Sequence, residues 1–209
     1  MVSRRALLSS LSAGLASTVV AARPAAAAGA VSAVSAPTGT NRRNFPNVAL
    51  VTHDNRKVRF YDDLVKSKIV LFNFFYTRCE GVCIPATANL RKVQNLLGDR
   101  VGRDIFMYSI TLKPEEDSPS DLKEYREAYG VTGPGWTFLT GPKANCEVLR
   151  QRLGFADIDP VRDADVTQHS GLVVFGNDSY DSWTACPALA NPTEIVKAVS
   201  WMDRGSTTR

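Results

Sequence analysis

The chain has 209 residues, 44% hydrophobic and 22% charged, proportions that fit one full-sized core and exclude global disorder, a collagen-like repeat and a coiled coil. Basic residues outnumber acidic ones by 25 to 21, yet no Asp or Glu precedes Asp54, and setting aside residues 1–28 leaves 22 against 21. The positive excess belongs to the N-terminus, so no nucleic-acid partner is expected.

In chain order, residues 1–28 read as an export signal of the twin-arginine type. Ser3-Arg4-Arg5 precedes a weakly apolar stretch, Ala6 to Ala22, and then the small-residue run Ala25 to Ala28. A spanning helix needs about 20 largely apolar residues, and this stretch is short and rich in Ser, Ala and Gly. Cleavage near Ala28, a flexible tether over 29–44, a folded domain over 45–203, a disordered tail over 204–209 and a periplasmic location are the expectations. An uncleaved leader would leave the protein membrane-associated.

Val48–Val51 and Val58–Tyr61 flank Asp54-Asn55 and predict a short N-terminal hairpin. His53, in its turn, reads as a solvated residue. Ile69–Phe75 is apolar on both faces and predicts a central strand. Pro85–Gly98 predicts a helix, with proline at its start, apolar positions at Leu90, Val93 and Leu97, and glycine past its end. A strand follows over Asp104–Ile110, then a helix over Ser120–Tyr129 with Ser118 or Ser120 as cap and Gly130 as stop. Trp136–Leu139 predicts a strand, Ala144–Leu153 a helix ended by Gly154, and Asp157–Gln168 a loop that leads to His169. Gly171–Phe175 and Ser182–Ala185 predict a final hairpin, and Pro192–Met202 a closing helix. The fold class is α/β, a central mixed sheet flanked by helices in the element order of a thioredoxin-like fold.

Tyr76-Thr77-Arg78-Cys79-Glu80-Gly81-Val82-Cys83 falls at a strand-to-helix junction, where the helix N-terminal partial charge favours thiolate. The i,i+4 spacing lets the two sulfurs share one face of a helical turn. Two outcomes are open: a disulfide, or two thiolates converging on a soft metal ion. Three intervening residues, against the two of a thioredoxin-type pair, suit a two-point thiolate clamp. His169 precedes an apolar strand and so stands at a loop end of the sheet, where it can share an edge with the cysteines. Two thiolates and an imidazole suit Cu(I), whereas a closed structural zinc site takes four ligands.

From about Asn44 to Met202 the chain resembles the Sco/SenC proteins, thioredoxin-fold copper chaperones of respiratory membranes. The residues that carry the resemblance are Phe74–Cys79 with the Cys-x-x-x-Cys pair, Ala88–Leu90, Ser109–Asp117, Gly135–Gly141 and His169-Ser170. It implies ligation of copper, Cu(I) or Cu(II), by Cys79, Cys83 and His169. It also implies maturation of the binuclear copper site of cytochrome c oxidase, by delivering copper or by reducing the target's cysteines. The expected partners are a copper-site subunit of a respiratory oxidase or another copper enzyme, and a thiol reductant protein. Glu80 and Ile84 stand where the family often has proline, and Gln168 where Asp usually precedes the histidine, so a divergent subgroup with another target fits as well.

The enzyme alternative is a thiol–disulfide oxidoreductase using Cys79 and Cys83 as its redox pair without metal. A thiol peroxidase would need Thr where Tyr76 stands. For Cys146 and Cys186 two readings remain open: a disulfide between them, or a buried small hydrophobe and a separate thiol.

Overall fold

The computed structural model describes residues 45–165 and 171–203. The strands are β1 (Ala49–Thr52), β2 (Lys57–Arg59), β3 (Ile69–Phe75), β4 (Ile105–Thr111), β5 (Trp136–Thr140), β6 (Leu172–Asn177) and β7 (Ser182–Pro187). The helices are α1 (Cys83–Leu97), α2 (Pro119–Ala128), α3 (Lys143–Arg152), α4 (Pro160–Ala164) and α5 (Pro192–Trp201). The seven strands form one mixed sheet in the order β2-β1-β5-β4-β3-β6-β7. Strands β3, β4 and β5 run parallel, and the hairpins β1–β2 and β6–β7 add antiparallel at the two sides.

Strand β3 is buried along its whole length because both of its faces are covered. Ile69, Leu71 and Phe75 enter a core that also takes Ala86, Leu90 and Val93 of α1, Leu122 of α2 and Ile195 and Val199 of α5. Val70, Phe72 and Phe74 enter a second core on the other face, with Phe60, Tyr61 and Leu149 of α3. The period-2 alternation of a strand thus divides one apolar run between two layers.

In α1 the buried positions Cys83, Ala86, Leu90, Val93 and Leu97 recur at intervals of three and four, one stripe of a 3.6-residue helix. The helix starts two residues before the predicted Pro85. Proline is tolerated there because the first-turn N–H groups have no intrahelical partner in any case. Of the two expected cap candidates, Ser118 caps α2, through a reciprocal capping box with Asp121.

Three expectations need correction. Phe60-Tyr61 does not continue β2; Phe60–Val65 forms a π-helical turn, because Phe60, Tyr61, Leu64 and Val65 are all buried and that spacing is helical. The stretch from Asp157 is not loop throughout, since it contains α4, capped by Asp159, which accepts the Val161 N–H at 2.9 Å. His53 is not solvated. It is 8% exposed, its Nδ1 accepts the Phe138 N–H at 3.2 Å, and its Nε2 lies 3.3 Å from Asp54 Oδ2. The leader, the tether, the tail and His169 lie outside the described residues.

Candidate metal centre

The site begins where β3 ends. Phe75 is the last strand residue, Leu112 N–H still bonds to its carbonyl at 2.8 Å, and the chain then turns through Tyr76–Val82 into α1. The cap residue Val82 has no side-chain acceptor to offer the first N–H groups of the helix. Cys79 takes that role. Its sulfur accepts hydrogen bonds from the Cys83 thiol, the Cys83 and Gly81 backbone N–H groups and the Tyr76 hydroxyl. Burial alone would raise the Cys79 thiol, but these donors outweigh it and hold the group below the ordinary thiol range. Arg78 and Glu80, the charges the sequence places beside the cysteine, are exposed, and hydrogen bonding does the stabilising instead.

Cys79 and Cys83 are both buried, both free thiols and in contact with each other, so the predicted pair is brought together. Tyr76 is equally buried. The hydrogen bond to Cys79, then burial and the nearby sulfur charges, push its hydroxyl up to about 12, so it remains a donor across the whole physiological range. Lys113 Nζ stands 4.9 Å over the Tyr76 ring. Tyr125 backs the pair from α2 and shares a 2.9 Å hydrogen bond with Thr87, one turn along α1 from Cys83.

His169 lies outside the described residues, and Asp165 and Gly171 are the described residues on either side of it. The Asp165 charge is close enough to contribute to the shift on Tyr76. Gly171 accepts the Ala188 N–H at 2.9 Å, and Asn89 of α1 donates to the carbonyls of Ala188 and Ala190 at 2.9 and 2.8 Å. The segment resuming at Gly171 is thereby tied to the helix that carries Cys83. Among the described residues no group of three His, Cys, Asp or Glu side chains forms a complete metal site.

Cys146 and Cys186 are free and lie on opposite faces of the sheet, which rules out the disulfide between them in this fold. Burial pushes the Cys146 thiol up to about 12 and raises that of Cys186. Tyr76, Tyr125 and Asn89 escaped the sequence reading as site residues. Tyr76 carried the one available signal, as a hydroxyl-bearing aromatic directly after an apolar strand and three residues before a cysteine.

A thioredoxin-like fold with a pair of free thiols where its central strand passes into the next helix defines the class of this chain. Within that class, the SCO1/SenC family model matches residues 42–203, and the chain belongs to this family. It is 34% identical over 77 residues to the SCO1 protein homolog of Bacillus subtilis, a match spanning 37% of this chain and 39% of that relative. Among solved structures it resembles BsSco, described as a member of the Sco family of cytochrome c oxidase assembly proteins with a disulfide switch. That likeness has a TM-score of 0.60 at 23% identity and covers 78% of this chain and 92% of BsSco. Yeast Sco1 with copper bound gives 0.58 at 18% identity, over 77% and 92%. At these identities the structural likeness is one of fold. Among the described residues no helix is long and apolar enough to cross a membrane.

Proposed function

We propose that this protein is a periplasmic copper-binding assembly factor that delivers copper to, or reduces the cysteines of, a respiratory copper enzyme such as cytochrome c oxidase. The observation that carries the reading is the contact between the free sulfurs of Cys79 and Cys83 at the start of α1 in a member of the SCO1/SenC family. Two soft sulfur donors in contact suit copper, and His169 supplies the third ligand. The Asp165 charge felt at Tyr76, and the hydrogen bonds that link Gly171 through Ala188 to Asn89 of α1, support that assignment. Copper is cargo here: it arrives on the thiolates and leaves by ligand exchange with a partner's copper site. The yeast relative with copper bound and the assembly role stated for BsSco agree with this reading. Export rests on the twin-arginine leader over residues 1–28.

A second activity is favoured by the hydrogen bonds on Cys79. A stabilised thiolate attacks one sulfur of a partner disulfide and releases the other as thiolate. Cys83 then displaces the partner from the mixed disulfide, leaving a Cys79–Cys83 disulfide and two reduced partner thiols. A thiol reductant protein resets the pair. Copper titration of the reduced chain separates the two jobs. The wild type is expected to bind an equimolar amount of copper, and His169→Ala to lose affinity by at least about tenfold. Unchanged affinity in His169→Ala, together with rapid reduction of insulin disulfides, would make the oxidoreductase reading the correct one.

A further inference from the structure

The loop that carries Cys79 is pinned by a buried carboxyl group, that of Asp117. Asp117 lies between β4 and α2 and is 1% exposed. Its Oδ2 accepts the Thr77 N–H at 3.2 Å and the Thr111 hydroxyl, while its Oδ1 accepts the Thr77 hydroxyl. Thr77 stands two residues before Cys79, and Thr111 is the last residue of β4. One side chain therefore ties the start of the thiol loop to the end of β4, the parallel neighbour of β3.

The same knot shapes the other wall of the site. The Thr111 hydroxyl oxygen accepts the Lys113 N–H at 2.9 Å, and the Lys113 carbonyl accepts the Glu116 and Asp117 N–H groups at 2.9 Å each. The closed turn keeps Lys113 over the Tyr76 ring, and Tyr76 in turn donates to Cys79. A carboxyl group offers two oxygens to three donors. An amide in its place has one carbonyl oxygen and turns an NH₂ group toward donors that already point inward.

We propose that Asp117 is a positioning residue for copper: by anchoring Thr77 and Thr111 it fixes Cys79 relative to Cys83, whose place is set by α1. This rests on the copper reading above. The two activities of the thiol pair make unequal demands on that anchor. Ligation needs both sulfurs and an imidazole held at once in bonding geometry. A disulfide needs only that two sulfurs meet, which a loosened loop still allows.

The test uses the full-length reduced chain and Cu(I) in competition with a chelator of known affinity. Asp117→Asn is expected to bind copper about 10–100-fold more weakly than the wild type. It should still convert Cys79 and Cys83 to a disulfide with glutathione disulfide as oxidant, each protein disulfide formed yielding two glutathione thiols. Leu149→Ala, which opens a cavity in the core on the other face of the sheet, serves as a destabilised control that keeps wild-type copper affinity. Thr77→Val removes one donor to Asp117 and is expected to weaken copper binding in the same direction by less. Should Asp117→Asn not fold, wild-type affinity in Thr77→Val overturns the proposal. So does equal affinity in Asp117→Asn and wild type, or an equal loss in Leu149→Ala, which would show that affinity merely follows stability. A wild-type chain that binds no copper overturns the copper reading itself and this inference with it.

Discussion

His53 shows how a single side chain takes over a backbone role. Where β1 runs out, its own N–H still bonds to the Phe138 carbonyl at 2.9 Å, but the returning bond from Phe138 N–H goes to imidazole Nδ1 at 3.2 Å instead of to a carbonyl. That lone pair is available only on the neutral ring. Burial, opposed in part by the Asp54 charge, holds the His53 pKa below its usual 6.5. The neutral form is thus favoured by folding, so the contribution is fully present above pH 6.5 and disappears as pH falls through the lower folded-state value. His53→Gln is expected to cost about 1–3 kcal/mol at neutral pH by leaving the Phe138 N–H without this acceptor. In urea unfolding at a series of pH values, the gap between wild type and variant should narrow on acidification. A gap that stays constant from neutral pH down to about pH 4.5, well below the free histidine value, would refute the account.

At the scale of elements, the readable parts were those whose neighbours in sequence are also their neighbours in space. Ile69–Phe75 announces a doubly covered strand because every residue is apolar, and the 3-and-4 spacing from Cys83 to Leu97 announces α1 because one stripe faces the sheet. The cysteine pair was legible for the same reason, since both sulfurs lie within one turn of each other. The burial of His53 was not, because it depends on β5, 85 residues away, and the knot around Asp117 was not, because it joins Thr77 to a turn 40 residues further on. Cys146 and Cys186 could not be sorted to opposite faces until β6–β7 and α3 were positioned against the sheet. Since α1 carries Cys83 on its buried stripe, its packing and the site are mechanically linked. Leu90→Ala, fully buried two turns along that stripe, is expected to lower stability by about 2–5 kcal/mol in chemical denaturation. A loss under about 1 kcal/mol would mean that α1 is not held by this face.

For the whole molecule, the proposed ligands come from two distant stretches of the chain that only folding brings together: the Cys79–Cys83 turn at the start of α1 and the segment before β6. An unfolded chain keeps only the local cysteine pair. Copper should then bind the native state more tightly than the unfolded one, and the difference between the two affinities appears as stability. If the unfolded chain bound none, free copper at about 100 times the dissociation constant would add about 2.7 kcal/mol. In a chain of this size that corresponds to a rise in Tm of roughly 5–10 °C, using about 2–4 °C per kcal/mol. Retained binding by the unfolded dithiol reduces the rise, so the observed shift measures what the histidine and the folded loop add. Calorimetry of the reduced protein with and without copper is expected to show the wild-type Tm rising severalfold more than that of His169→Ala. Equal shifts in the two would place all of the copper energy in the local Cys79–Cys83 pair and remove the folded, three-ligand site from the account.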